Sequence, residues 1–228
     1  MSRPPRRAEG GLIYHVLNRA NARLAIFGDD GDYDAFDRVL AEAVARHDMR
    51  LLAYCLMPNH FHLVVWPEGD GDLSRFMRWL TMTHTQRWHA YRRSAGSGHL
   101  YQGRFKSFPV QDDGHLFTVC RYVERNALRA GLVSRAEDWR WGSLRRQVAD
   151  GPTPGPPLTP WPIDRPEGWA DRVNDPLTPA EEEALRRAVR RGQPFGSEGW
   201  RETTASRLGL ASTLRPQGRP RKDLINGS

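Results

Sequence analysis

The stretch Met57-Pro58-Asn59-His60-Phe61-His62-Leu63-Val64-Val65-Trp66 decides how the rest of the chain is read. Side chains alternate along a β-strand, so His60 and His62 fall on one face while Phe61, Leu63 and Val65 fall on the other. Pro58 lacks a backbone N–H and fits a strand only at its start or edge, which puts the beginning of this strand at about Asn59. The preceding run Leu51-Leu52-Ala53-Tyr54-Cys55-Leu56 is apolar enough for a sheet centre, and Met57-Pro58-Asn59 joins the two strands as a hairpin. Two neutral imidazoles on one patch can hold a divalent ion and leave open positions for substrate. The same pair can also be two strand histidines satisfied by ordinary hydrogen bonds, so a metal role requires a third donor from elsewhere.

The 228 residues suffice for one sizeable domain with an appendage, or for two small ones. Net charge is +7 and the pI is near 10. Arginine supplies nearly all the cations, Lys106 and Lys222 being the only lysines. Guanidinium forks match phosphate oxygens in two-point geometry, which makes a polyanion such as nucleic acid the leading partner class. Cys55 and Cys120 each lie inside an apolar pattern, as reduced buried thiols of a cytoplasmic protein do. The first ten residues are basic without the apolar run of a secretory signal, and no window has transmembrane length and apolarity. The expectation is a soluble, cytoplasmic protein with no membrane partner.

Outward from the hairpin, Leu12-Ile13-Tyr14-His15-Val16-Leu17-Asn18 reads as a first strand after Gly10-Gly11. Asp32 is the expected cap of a helix carrying Phe36, Val39, Leu40, Ala43 and Val44 at helical spacing, and Asp72 that of a second carrying Leu73, Phe76, Met77 and Leu80. A fourth strand is expected around Ser107 to Gln111, then a helix from Gly114 to Ala130 stopped by Gly131. The order β-α-β-β-α-β-α predicts an α+β fold with a ferredoxin-like, four-stranded antiparallel sheet. Its first and third strands form the central pair, which brings His15 toward His60 and His62. Residues 1–145 are expected to form the catalytic domain and 146–178, rich in Pro and Gly, a linker or surface wrap. Residues 179–228 read as a basic helical extension, opened by the capping box Thr178-Pro179-Ala180-Glu181 and ended by a basic, proline-interrupted tail expected to be disordered.

Tyr122 and Asn126 stand four residues apart on one helix stripe that flanks the apolar face. A helix packed on the sheet could present both beside the histidines, Asn126 giving a carbonyl oxygen to a metal and Tyr122 a hydroxyl to a substrate. A phenol is a poor nucleophile at neutral pH and needs a cation that aligns a phosphate and offsets its developing charge. Attack on a phosphodiester would give a phosphotyrosine intermediate, a reactive ester to which a second strand end can be joined without ATP. Among the competing tyrosines, Tyr101 is the chief rival, since it lies in a basic loop where it could also stack on a base.

These motifs resemble the REP-associated tyrosine transposases, a branch of the single-tyrosine transposases named for a His-hydrophobic-His motif. The likeness rests on Gly10-Gly11-Leu12-Ile13-Tyr14-His15-Val16 with Asn18-Arg19, on Ala53-Tyr54-Cys55-Leu56-Met57-Pro58-Asn59-His60-Phe61-His62, on His99-Leu100-Tyr101-Gln102-Gly103-Arg104-Phe105 and on Arg121-Tyr122-Val123-Glu124-Arg125-Asn126. Further matches are Arg190-Arg191-Gly192-Gln193-Pro194-Phe195-Gly196 and Gly218-Arg219-Pro220-Arg221-Lys222. The resemblance implies a divalent ion, Mg or Mn, held by His60 and His62, Tyr122 as nucleophile forming a 5′-phosphotyrosine, and single-stranded hairpin DNA as substrate. The chain departs from the family in having Ala127, where a proline usually follows the asparagine; this lets the helix run on and leaves the Tyr122 to Asn126 spacing intact, and Asn126 is a weaker candidate ligand than the histidines. Arg19, Arg104 and Lys106 are the candidate phosphate or base contacts, Asn18 a reader of a base edge, and Arg219 and Arg221 a phosphate or minor-groove tail. The protein would act as a monomer or homodimer. Two alternatives keep the same residues: a catalytically silent DNA-binding regulator, and a metal-dependent nuclease using activated water.

Overall fold

In the computed structural model, which describes residues 8–96, 98–149, 151 and 153–215, the two apolar runs either side of Pro58 do form a hairpin. The elements leading into and out of it are β1 (Ile13–Arg19), α1 (Asp30–Arg46), β2 (Arg50–Met57), β3 (His60–Trp66), α2 (Asp72–Tyr91), β4 (Lys106–Val110) and α3 (Gly114–Glu124). The sheet is antiparallel throughout in the order β2-β3-β1-β4, so the first and third strands are central, as the ferredoxin-like reading requires.

Strand alternation divides the core in two. Tyr14, Val16, Phe61, Leu63 and Val65 pack against Phe36, Leu40, Phe76 and Leu80 of α1 and α2. Ile13, Val64, Phe108 and Val110 face Leu116, Val119, Cys120 and Val123 of α3. The second core continues beyond residue 145, taking in Trp169 and Val173 of α6 (Trp169–Asn174), Leu185 and Ala188 of α7 (Pro179–Arg191), and Phe195. Between α3 and α6 come α4 (Asn126–Arg129) and α5 (Ser143–Val148), and the chain ends with α8 (Glu198–Arg207) and α9 (Ala211–Leu214).

Three helix boundaries differ from expectation. The cap of α1 is Asp29, whose extended backbone lets its Oδ1 accept the Asp32 N–H at 3.0 Å, while Asp32 itself is turned to the Gly28 N–H and Arg92. Gly71, at φ +79°, occupies the cap position of α2, and Asp72 reaches back to the Gly69 N–H. The helix predicted from Gly114 to Ala130 divides at Arg125, where ψ opens to −4°. Its stop is as expected: Gly131 is left-handed, and the Gly131 and Leu132 N–H groups bond back to the Leu128 and Ala127 carbonyls. The Thr178–Glu181 capping box and Pro179 open α7 as predicted.

Candidate active site

Residues opposite one another in an antiparallel pair share a face, and β1 pairs with β3 so that Leu17 meets His62 and Arg19 meets His60. His15, Leu17 and Arg19 therefore stand on the same face as His60 and His62, the one covered by α3. His15 Nε2 and His62 Nδ1 are 2.8 Å apart, and the His60 and His62 rings lie 5.0 Å apart at 75°. Tyr122 descends from α3 onto this group, its ring 5.7 Å from His62 and 6.2 Å from His15, both edge-on. The phenol is 8% exposed, at the lip of the buried cluster. Lys106 stands opposite Leu17 on β4 and is exposed on the same side.

Burial sets the electrostatics. Desolvation lowers His15 to about 3 and His60 to about 4, with the Arg19 and Arg129 charges adding to the shift of His60. His62 is lowered well below the usual imidazole range for the same reason, helped by its two histidine neighbours and both arginines. All three imidazoles are neutral at physiological pH and keep a lone pair. Cys55, beside His62 on β2, is buried, which raises its thiol to about 12, and its Sγ contacts Met57 Sδ.

A divalent ion fits the pair in one respect that the structure tests. His60 Nδ1 is 2.6 Å from Asn59 Oδ1 and His62 Nδ1 is bonded to His15, so each ring has Nδ1 engaged and Nε2 left for a ligand. Among the described residues no three His, Cys, Asp or Glu side chains are grouped to hold an ion. Asn126 is buried on α4; its Oδ1 accepts from Arg129 Nη2 at 3.1 Å and retains one lone pair, while its Nδ2 has no partner among the described residues.

Arg129 and Asn59 are site residues that sequence patterns alone do not single out. Arg129 lies 4.8 Å above the Tyr122 ring and also binds Asn126, and its only signal in the sequence is a spacing of seven and three residues on one helix stripe. Asn59 reads in the sequence only as part of a turn. The predicted DNA contacts divide between two faces: Arg19 and Lys106 flank the histidines, whereas Asn18 and Arg104 line a groove of about 590 Å³ with Thr81, Thr85 and Gln102 on the α2 side. Arg219 and Arg221 lie outside the described residues.

Tyr101, the rival nucleophile, is buried against α2 with its hydroxyl 2.6 Å from His84 Nδ1, and burial pushes its ionisation well up. Tyr14, Tyr33 and Tyr54 belong to the same α1/α2 core and are also raised by burial. Tyr91 is exposed at the end of α2. Of the six tyrosines, Tyr122 alone has its ring on the histidine pair.

Residues 9–126 match a protein-family model described as Transposase IS200 like. A REP-associated tyrosine transposase of Escherichia coli (strain K12) is 24% identical over 169 residues, 73% of this chain and 89% of that protein. The solved structure of a REP-associated tyrosine transposase bound to a REP hairpin superposes with a TM-score of 0.54 at 22% identity, over 78% of this chain and 99% of that one, a likeness of fold. No helix among the described residues is long and apolar enough to cross a membrane.

Proposed function

The chain belongs to the IS200-like transposases, a family of enzymes, and from that premise we propose that it nicks and rejoins single-stranded, hairpin-forming DNA through Tyr122, with a divalent ion, Mg or Mn, held by His60 and His62. The observation that carries this reading is the contact of the Tyr122 ring with His62 at 5.7 Å, between residues far apart in the chain. When bound, the ion would polarise the scissile phosphate and offset charge developing on it. Tyr122 Oη forms a bond to phosphorus as the bond to the 3′ oxygen breaks; the phenol loses its proton, the leaving sugar oxygen gains one, and a 5′-phosphotyrosine remains. Attack by another 3′ hydroxyl reverses these changes, restoring a phosphodiester and the free phenol.

The surrounding residues have consistent roles. Asn126 would supply the third oxygen ligand, and the Arg129 guanidinium over the Tyr122 ring would meet the incoming phosphate charge. Arg19 and Lys106 take phosphates on the histidine side, and Asn18 and Arg104 contact the strand in the second groove. Hairpin DNA as substrate is supported by the REP hairpin bound in the solved relative.

Labelled single-stranded hairpins incubated with the protein, with and without Mg or Mn, test the reading. A metal-dependent covalent adduct lost in Tyr122→Phe is expected. Cleavage that survives this substitution would overturn the phosphotyrosine route in favour of activated water, and hairpin binding without cleavage or adduct would leave a DNA-binding regulator.

A further inference from the structure

Each imidazole of the pair is held from behind. For His60 the partner is Asn59 Oδ1 at 2.6 Å; a carbonyl oxygen can only accept, so His60 carries its proton on Nδ1 and presents a lone pair at Nε2. For His62 the partner is another imidazole, His15 Nε2 at 2.8 Å across the β1–β3 pair, and either ring could donate. The two arrangements are not equivalent in chemistry. If His15 donates, His62 must carry its own proton on Nε2 and has no lone pair there for a cation. If His62 donates, its Nε2 is free.

We propose that His15 is a positioning residue of the metal site: its Nε2 accepts the His62 Nδ1–H and so fixes the tautomer and ring orientation in which His62 Nε2 can hold the ion. The inference rests on the metal reading given under Proposed function and adds to it a residue that touches neither ion nor DNA. His15 suits the task because it is 1% exposed, with its ring centroid 4.8 Å from Phe108 and 5.1 Å from His62. Its surroundings, with Phe108 against one side of the ring, leave little freedom to rotate away. His15 is not itself the third ligand, since its Nε2 is already committed to His62. Outer partners of this kind are worth about 10–100-fold in metal affinity.

Calorimetric titration of the metal-free chain with Mn²⁺, without DNA, measures the effect. His15→Leu removes the acceptor and is expected to weaken Mn²⁺ binding by about tenfold or more, whereas His15→Gln keeps an acceptor oxygen and is expected to stay within about threefold of the unsubstituted protein. Equal affinity of the unsubstituted chain and a folded His15→Leu would overturn the role of His15 alone; no Mn²⁺ binding by the unsubstituted chain would overturn the metal reading and this inference with it. A second measurement does not depend on the variant folding. Long-range ¹H–¹⁵N correlation of the histidine rings in the metal-free protein should show His62 protonated at Nδ1 and His15 unprotonated at Nε2, and the reverse pattern would refute the assignment.

Discussion

Arg129 joins Tyr122 of α3 and Asn126 of α4, its guanidinium stacked over the first and donating to the second. On the proposed reaction Arg129→Ala removes the cation that would meet the phosphate and frees the Asn126 carbonyl, so adduct formation should slow by about tenfold or more while hairpin affinity changes by less than about threefold. Gel quantification of adduct against time, beside a binding isotherm, separates the two effects. Asp37 on α1 gives a test by pH: its Oδ1 is buried without a partner among the described residues, and burial raises the carboxyl to about 7. The unfolded carboxyl titrates near about 4, so between these values the folded state binds more protons and the Asp37 contribution to stability falls as pH rises. Asp37→Asn imitates the protonated acid; it should be more stable than the parent at pH 8 by about 1 kcal/mol or more, a margin that shrinks toward pH 5 in denaturant titrations. At this scale the histidine pair and Tyr122 are legible in the sequence because strand alternation and the four-residue helix repeat assign faces without coordinates. The approach of His15 follows from the central pairing of β1 and β3, whereas its bond to the His62 Nδ1 and the partners Asn59 and Arg129 are harder to read, since such contacts depend on register and rotamer.

Glu124, at the end of α3, shows how one element organises others. It is fully buried and accepts from Ser143 Oγ at 2.6 Å, Gln147 Nε2 at 3.0 Å and Trp169 Nε1 at 2.7 Å, tying α5 and α6 to the helix that carries Tyr122. Desolvation raises its carboxyl and these donors oppose the rise. Glu124→Ala leaves the buried Trp169 Nε1–H without its acceptor and removes that of the part-buried Gln147, while Ser143 Oγ keeps the Tyr54 carbonyl at 3.3 Å; it should cost about 2 kcal/mol, whereas Glu124→Gln, which keeps an acceptor oxygen, should cost about 1 kcal/mol, as read from urea denaturation. Helix existence and the Schellman stop at Gly131 are predictable because they follow from apolar spacing and one residue's tolerance of positive φ. Caps are less legible: Asp29, Asp30 and Asp32 are chemically alike, and only backbone direction selects the first of them. The bulge between Leu51 and Ala53 is likewise hidden, because the continuous apolar run of β2 carries no alternation to reveal a change of phase.

At the scale of the whole molecule, the segments downstream of α4 close the sheet. The outer edge of β2 is covered by Trp139 Nε1 and Trp161 Nε1 donating to the Leu56 and Leu52 carbonyls, by the Tyr54 N–H donating to Ser143 Oγ, and by the Thr159 N–H donating to Leu51. At the far edge Phe195 bridges Val110 in parallel, exchanging backbone bonds with Pro109 and Gln111. Open strand edges template association, so a chain ended after residue 145 should elute as aggregate in size-exclusion chromatography or lose cooperative unfolding. The Pro- and Gly-rich composition of 146–178 admits a surface wrap but not the carbonyls that Thr159 and Trp161 meet on β2, since a donor's target is fixed by the fold around it. On the proposed reaction, two distant parts of this chain meet to make one reacting centre. Mass spectrometry of the protein digested after incubation with hairpin DNA and Mn²⁺ checks this: the nucleotide should be found on the peptide containing Tyr122, and a nucleotide on any other tyrosine, or on none, would contradict it.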